Sequence, residues 1–367
     1  MNLANLIAIQ QWTRSNIDVT ALDPLIFDNS IGTLHAMNEN KDTRSIINFL
    51  YQHLPRPDAL DKYDYDTALA AMRDLGIFIG ILKKHGIEPV EALPELEYVL
   101  LVLMVKTDLV PRDTLLHYTV WNPSGSRIRS YTGLPDEISL IESVRMALPS
   151  LMEAIIQLDL MHDNELHGND FEDNCHLLKL KMDGMVRGIV NAKRHVSPGV
   201  FANELRFYYD PIKVDYNKEY AGPGAVEMPM FVFDHLLWSS DVEDSTYTTF
   251  KEGYLPYNIS LIRDIYKKYK GRPSLISKIE ANLSTKGFVR NYRAAKAALD
   301  LCNVLKSFRM PHKKVAQEAY AHGEDHHRKQ GSGGYSVGIL DHIMNLQNDK
   351  LASLQIATSL FKINELV

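Results

Sequence analysis

Residues 67–85 read TALAAMRDLGIFIGILKKH, and this stretch decides the fold class. Its apolar side chains recur every three or four residues along one side, at Leu69, Met72, Leu75, Ile79 and Leu82. That spacing is the period of an α-helix. Gly86 follows directly and suits a helix end, because glycine adopts the left-handed conformation found there. The stretch therefore predicts a helix from Thr67 to His85.

The same period continues through most of the chain, while alternating runs typical of β-strands are scarce and short. Interior prolines at 149 and 311 predict kinks, because proline removes an amide donor from a helix. The fold class predicted is all-α. Further helices are predicted at Leu93–Lys106, Glu137–Leu158, Asp170–Val196, Pro229–Trp238, Ile259–Lys270, Arg290–Tyr320 and Val337–Phe361.

Between Val110 and Pro135 the helical pattern lapses into Pro, Gly, Asn and Ser. Such clusters are typical of loops, and a short strand is predicted within this one, at Leu116–Trp121. The lapse predicts a boundary between a smaller helical N-terminal domain, residues 1–115, and a large helical domain, residues 116–367. We expect the second domain to carry the chemistry.

Composition limits the function classes. The net charge of −6 argues against a nucleic-acid partner and against an anionic membrane surface, because both attract positive charge. The longest apolar run, Tyr98–Val105, is far shorter than the roughly 20 residues that cross a bilayer as a helix. No secretion signal is visible at the start, and two cysteines are too few for a disulfide framework. A cytoplasmic location is expected.

His312 is the first candidate site residue. It shares a helix face with the apolar residues Leu301, Leu305, Phe308, Val315, Ala316 and Ala319. A neutral imidazole that projects from an apolar face is what an axial haem ligand requires. From spacing alone, an ordinary hydrogen-bonded core histidine remains the alternative interpretation.

Two further candidates could bind anionic groups. The turn Gly331-Ser332-Gly333-Gly334 precedes a predicted helix, where backbone amides and the Ser332 hydroxyl suit a carboxylate or a haem propionate. A plain turn is the alternative. Arg206 follows a helix start marked by Ser197 and Pro198, and its guanidinium suits a carboxylate. An internal salt bridge is the alternative there.

The loop with His322, His326 and His327 also contains two acidic residues and so has metal-binding residue types. It is polar and flanked by glycines, which favours the interpretation of a solvated loop.

Longer blocks of the sequence resemble one enzyme family. They are AMRDLG (71–76), TLLH (114–117), TVWNP (119–123), SYTGLPDE (130–137), ELR (204–206), GPGAVEMP (222–229), PH (311–312) and GSGGY (331–335). Together they resemble the haem-dependent tryptophan and indoleamine dioxygenase superfamily, and within it most closely the monodechloroaminopyrrolnitrin synthases.

This resemblance implies a large helical haem-binding bundle and a substrate, tryptophan or 7-chlorotryptophan, that is rearranged to an aminophenylpyrrole. It implies haem b held by His312 as the axial iron ligand and O2 as co-substrate, and it allows an external electron donor as a partner. Gly331 and Ser332 would lie at a haem propionate, with Ser332 and Gly333 also at the amino-acid end of the substrate.

Tyr320 and Ser332 are the catalytic candidates. Tyr320 lies just over two helical turns beyond His312, so that both face one cavity if the helix persists. A more distant resemblance to indoleamine dioxygenases, through Leu205-Arg206-Phe207, implies that Arg206 holds the substrate carboxylate. Three other functions stay open: tryptophan 2,3-dioxygenation, a non-catalytic haem sensor or carrier, and a helical scaffold without a cofactor.

Overall fold

The computed structural model describes residues 3–166, 169–283, 288–322 and 338–364. In those residues it has seventeen α-helices and a single two-stranded sheet, so the all-α prediction is confirmed. The helices are α1 Leu3–Ala21, α2 Ile31–Glu39, α3 Thr43–His53, α4 Pro57–Leu60, α5 Tyr65–Lys84, α6 Pro89–Ala92, α7 Glu95–Thr107, α8 Leu115–Tyr118, α9 Pro135–Met161, α10 Asn169–His195, α11 Pro198–Asn203, α12 Met230–Asp234, α13 Ser245–Tyr254, α14 Ser260–Tyr269, α15 Leu275–Leu283, α16 Phe288–His322 and α17 Gly338–Asn364.

Shorter elements connect these helices. Strands β1, Ile212–Val214, and β2, Lys218–Tyr220, pair antiparallel. A π-helical turn, His235–Ser239, continues α12, and such turns often mark functional sites. The 3₁₀ segments are Gly125–Arg127, Leu205–Tyr209, Ala225–Glu227 and Leu255–Tyr257.

The predicted helices are all present, with ends that differ by a few residues. The Pro229–Trp238 prediction became α12 and the π-helical turn. Gly86 has a φ of 73°, as its predicted role at the end of α5 requires. Pro149 and Pro311 lie inside α9 and α16, and the kinks there stay predictions. So does the division at residue 115.

The strand predicted at Leu116–Trp121 is wrong. This segment begins as the short helix α8, which opens with a capping box in which the Thr114 backbone N–H donates to His117 Nδ1 at 3.0 Å. Every residue of α8 is buried. A helix without a polar face has no amphipathic signature, so its apolar run resembled a buried strand.

Helix α5 lies at the centre of the N-terminal half. Its residues from Ala68 to Leu82 are all buried, and it packs against α1, α3, α7, α8 and the 3₁₀ segment Leu205–Tyr209. Two of these buried residues, Arg73 and Asp74, are charged. Because buried charges must be paired, they fix which segments can cover the helix.

Asp74 is shared by two arginines inside this core. Arg73 Nε and Arg129 Nε both donate to Asp74 Oδ1 at 2.8 Å. Arg129 also donates to Asp23 at 2.9 Å and to Asp28 at 2.5 Å. The Arg129 side chain is fully buried. This network ties the loop before α9 to α5 and to the loop between α1 and α2.

None of the helices described here combines the length and the apolar character that crossing a membrane requires.

We predict opposite effects of alanine at two helical glycines. A Cβ atom at Gly76 in α5 would overlap the buried side chain of Asp113, whereas a Cβ at Gly32 in α2 would meet nothing within 4 Å. Gly76→Ala should lower the free energy of unfolding by about 1–3 kcal/mol through overpacking. Gly32→Ala should leave it unchanged or raise it by up to about 1 kcal/mol. Urea denaturation measures both, and equal effects would contradict the packing described for α5.

We predict that His162 makes stability depend on pH. Its Nε2 donates to the Leu236 carbonyl at 2.9 Å, and burial lowers its pKa from 6.5 to about 4. Below pH 6.5 the unfolded chain therefore binds a proton that the folded chain does not, so acid favours unfolding. Between pH 7 and 5 this should remove about 2 kcal/mol. His162→Gln should reduce that loss, measured by urea denaturation, and His322→Gln, at an exposed position, should not.

Candidate functional site

A largely apolar cavity of about 340 Å³ lies where α9, α10 and α16 converge. This volume falls in the range of small-molecule sites. Other segments complete its wall. Besides the three long helices, they are α8, α11, α12, α13, α17, the 3₁₀ segment Leu205–Tyr209, residues 223–226 and Met228.

His312 faces this cavity from α16. Its side chain is half-buried and contacts the Phe308 ring at a centroid distance of 5.5 Å. Within the described residues its imidazole makes no hydrogen bond. Burial, and secondarily the positive charge of Arg309, lower the pKa of His312 to about 4. The ring is therefore neutral at pH 7 and presents a lone pair, which is the form that binds a metal.

Tyr320 and Arg206 line the same cavity. Helix α16 continues unbroken from His312 past Tyr320. The two residues were expected to face one cavity if this helix persisted, and it does. Arg206 is 6% exposed, and its guanidinium carbon lies 5.5 Å from the centre of the Tyr320 ring. This distance is typical of a cation–π contact. Three of the predicted site residues thus come together, and their roles stay predictions.

The local structure before Arg206 differs in detail from expectation. Ser197 occupies the cap position of α11 and Pro198 its first turn, but the Ser197 side chain makes no capping hydrogen bond. Its backbone N–H instead donates to Asp136 at 2.7 Å. Helix α11 ends at Asn203, and Arg206 follows in the 3₁₀ segment Leu205–Tyr209.

Gly331, Ser332 and Gly333 lie outside the described residues, as do His326 and His327. In the part of the chain that the structure describes, no three His, Cys, Asp or Glu side chains group closely enough to hold a metal ion. A site on His312 alone is a different case, since haem iron needs one axial protein ligand.

A buried charged network at the cavity wall was not predicted from the sequence. Arg309, one turn before His312, forms a salt bridge with Asp234 and donates to Gln347 Oε1 at 2.7 Å. Asp234 also accepts from Trp238 Nε1 at 2.9 Å and from the Tyr247 hydroxyl at 2.7 Å. Arg309, Asp234 and Tyr247 all line the cavity. The three-residue spacing from His312 could have indicated Arg309, but nothing in the sequence indicated Asp234.

A second polar group at the cavity, around Tyr118, was also not predicted from the sequence. The Tyr118 hydroxyl, on the cavity wall, donates to Glu137 Oε1 at 2.8 Å and lies 3.4 Å from the Tyr209 hydroxyl. Glu137 is fully buried and also accepts the backbone N–H groups of Tyr131, at 2.6 Å, and Thr132, at 2.7 Å. Burial, with the nearby Glu137 charge, raises the pKa of Tyr118. Tyr118 therefore stays protonated at neutral pH and acts as a hydrogen-bond donor to Glu137, not as a base.

The site combines the neutral imidazole of His312 with two guanidinium groups and several phenols, set in apolar walls. Arg309 lies one turn from His312, and Arg206 lies against Tyr320. This arrangement suits a flat apolar ligand with an anionic group. In comparisons with known proteins, the family model described as monodechloroaminopyrrolnitrin synthase PrnB matches residues 9–366, nearly the whole chain.

We predict that removing the carboxylate partner of Arg309 is strongly destabilising. Both side chains are at most 4% exposed, so Asp234→Asn would leave the Arg309 charge buried without its counter-charge. The free energy of unfolding, measured in urea, should fall by about 3–5 kcal/mol.

The matched control is Asp264→Asn. Asp264 pairs with Lys267 at 3.5 Å, and both side chains are at least 67% exposed. Its removal should change stability by less than about 1 kcal/mol. Similar losses in the two variants would argue against a buried charge pair at the cavity.

Proposed function

Because the chain belongs to the monodechloroaminopyrrolnitrin synthase PrnB family, we propose that it rearranges tryptophan or 7-chlorotryptophan to an aminophenylpyrrole with haem b and O2. The family is one of enzymes of pyrrolnitrin biosynthesis that act on an indole amino acid. The haem, the O2 and the particular rearrangement are the proposal. We place the reaction in the cytoplasm, where the buried thiols of Cys175 and Cys302 would stay reduced.

The observation that carries the proposal is the environment of His312. The imidazole is neutral at pH 7, faces the cavity and makes no hydrogen bond within the described residues. Apolar walls are what a flat macrocycle would require around it, and His312 would hold its iron. Arg309 supports this role, because its positive charge disfavours protonation of the ring. Gly331 and Ser332 would hold a propionate.

Bound haem would supply the activation of O2. The residues of the chain would then bind and orient the substrate. We assign the substrate carboxylate to Arg206, because a guanidinium binds a carboxylate through two parallel hydrogen bonds. Tyr320 lies against Arg206, so it would contact the amino-acid end of the substrate, together with Ser332 and Gly333. The indole ring would occupy the apolar part of the cavity.

The geometry of the bound indole would decide the product. Ring opening to an N-formylkynurenine and rearrangement to an aminophenylpyrrole both begin with attack at the C2–C3 bond of the indole. A substrate held by its carboxylate at Arg206 has a fixed ring position relative to His312, and fixed geometry selects one reaction course among several. The apolar walls would also disfavour water beside the bound indole.

We predict a haem spectrum that depends on His312. The protein expressed with adequate haem supply should show a Soret band that shifts when L-tryptophan or 7-chlorotryptophan is added. His312→Ala should remove the band, because the axial ligand is lost. His322→Ala is the matched control, since His322 is an exposed histidine on the same helix, and it should keep the band. Mass spectrometry of the turnover mixture should detect the aminophenylpyrrole.

Arg206→Gln separates substrate binding from haem binding. The Soret band should remain, while the dissociation constant for tryptophan, read from the spectral shift, should rise about 10–100-fold for the loss of a charged hydrogen bond. A protein that binds no haem under any loading condition, or whose band survives His312→Ala, would refute the proposed cofactor site. An intact band with unchanged tryptophan binding in Arg206→Gln would refute only the carboxylate assignment.

A further inference from the structure

Three buried tyrosines form a continuous stack behind the cavity wall. The rings of Tyr118 and Tyr131 have centroids 5.1 Å apart and planes 22° apart. The rings of Tyr131 and Tyr208 are closer, at 4.6 Å and 7°. Each residue is at most 3% exposed. We refer to Tyr118, Tyr131 and Tyr208 as the tyrosine stack.

The tyrosine stack begins at the cavity and ends near the surface. Tyr118 lines the cavity. At the other end, the Tyr208 hydroxyl donates to Glu204 Oε1 at 2.9 Å. The Glu204 side chain is 38% exposed and pairs with Lys84 at 2.7 Å. The stack therefore joins the candidate active site to a carboxylate in contact with solvent.

Both end members have a carboxylate that can accept the phenolic proton. Tyr118 donates to Glu137 at 2.8 Å, as Tyr208 does to Glu204. Burial raises the pKa of both phenols well above the usual value near 10, so both are protonated at neutral pH. Oxidation of such a phenol releases its proton, and an acceptor at hydrogen-bond distance makes that release feasible.

Packing alone does not account for the hydroxyl of Tyr131. Within the described residues this buried hydroxyl has no hydrogen-bond partner. A buried polar group without a partner costs about 1–3 kcal/mol, and phenylalanine would fill almost the same space without that cost. The hydroxyl does change the ring electronically, because a phenol loses an electron more readily than an unsubstituted phenyl ring.

We propose that the tyrosine stack conducts single electrons from a reductant at the Glu204 surface to a one-electron oxidant in the cavity. The inference rests on the proposed function for the identity of that oxidant, which would derive from O2. The reductant would be a one-electron donor of the ascorbate class or a redox protein. The stack would serve either to supply electrons to the reaction or to discharge an oxidant when the cavity holds no substrate.

The electrons and protons balance along this path. The cavity oxidant takes one electron from Tyr118, whose proton moves to Glu137. Tyr118 is reduced through Tyr131, which keeps its own proton and is oxidised only briefly, and Tyr131 is reduced by Tyr208, whose proton moves to Glu204. The reductant then gives one electron to Tyr208, and Tyr118 and Tyr208 each regain the proton from their carboxylate as they are reduced. The net result is one electron moved from the reductant to the oxidant.

The test injects a charge at the surface and looks for it at the cavity. A ruthenium photo-oxidant is attached to Glu39→Cys, because Glu39 is exposed and follows Asn38, whose side chain donates to the Tyr208 hydroxyl at 3.0 Å. Labelling is selective, since Cys175 and Cys302 are buried. The trap is 3-aminotyrosine in place of Tyr118, which is oxidised more easily than tyrosine and has its own radical spectrum.

After a laser flash, we expect the aminotyrosyl radical at position 118. Tyr131→Phe should abolish this signal while leaving stability unchanged or higher, because it removes only the unpartnered hydroxyl. The matched control is Tyr266→Phe, a buried tyrosine outside the stack that lies against His235, and it should keep the signal. Urea denaturation verifies that both variants fold.

A trap radical of undiminished yield in Tyr131→Phe, or no trap radical when Tyr131 and Tyr208 are intact, would overturn the proposal. The experiment is run on protein without added haem. Its failure therefore concerns only the tyrosine stack, whereas failure of the proposed function is seen as a missing or His312-independent Soret band.

Discussion

The pairing of Asp74 with two arginines is the interaction on which the rest of the fold depends. Helix α5 is buried along fifteen consecutive residues, so its internal charges cannot be left to solvent. Arg129 reaches Asp74 from the loop before α9, and its other hydrogen bonds bind the loop between α1 and α2. With the loop before α9 fixed, the backbone N–H groups of Tyr131 and Thr132 in that loop donate to Glu137, which lies in the first turn of α9. The side of the cavity formed by Tyr118 and α9 is thereby positioned by charge pairing at some distance from it.

The part of the cavity wall formed by α16 depends on the geometry of one helix. Arg309, His312 and Tyr320 occupy one side of a single long helix, and each reaches the cavity because the helix is continuous. What makes this face chemically distinct is the surrounding packing, which desolvates His312 and pairs Arg309 with Asp234. A neutral imidazole beside a compensated charge pair is stable in an apolar site, whereas an uncompensated cation there would not be. The tyrosine stack extends from Tyr118 at the cavity to Tyr208, whose hydroxyl donates to the partly exposed Glu204.

The elements that could be predicted from the sequence are those with a local, periodic pattern. The helices around 67–85 and 290–320 were identified because their apolar residues recur with the helical period. Helix α8 could not be predicted, because burial on all sides removes the polar face that would mark a helix. Arg309 was detectable from its spacing to His312, but Asp234, Tyr118 and Glu137 were not. Their importance comes from contacts with residues far away in the chain, and a single sequence carries no record of such contacts.

The sequence by itself determined the all-helical architecture, the apolar face that carries His312, and the two-turn spacing that aligns Tyr320 with it. These properties depend only on residues within a few turns of one helix, where geometry is fixed by the backbone. Only the tertiary structure decided that Arg206 lies against Tyr320, that Asp234 neutralises Arg309, and that three tyrosines from separate segments stack in series. The reason is physical: helical periodicity says which face is buried, but the partner of that face is selected by packing and charge compensation across the whole core.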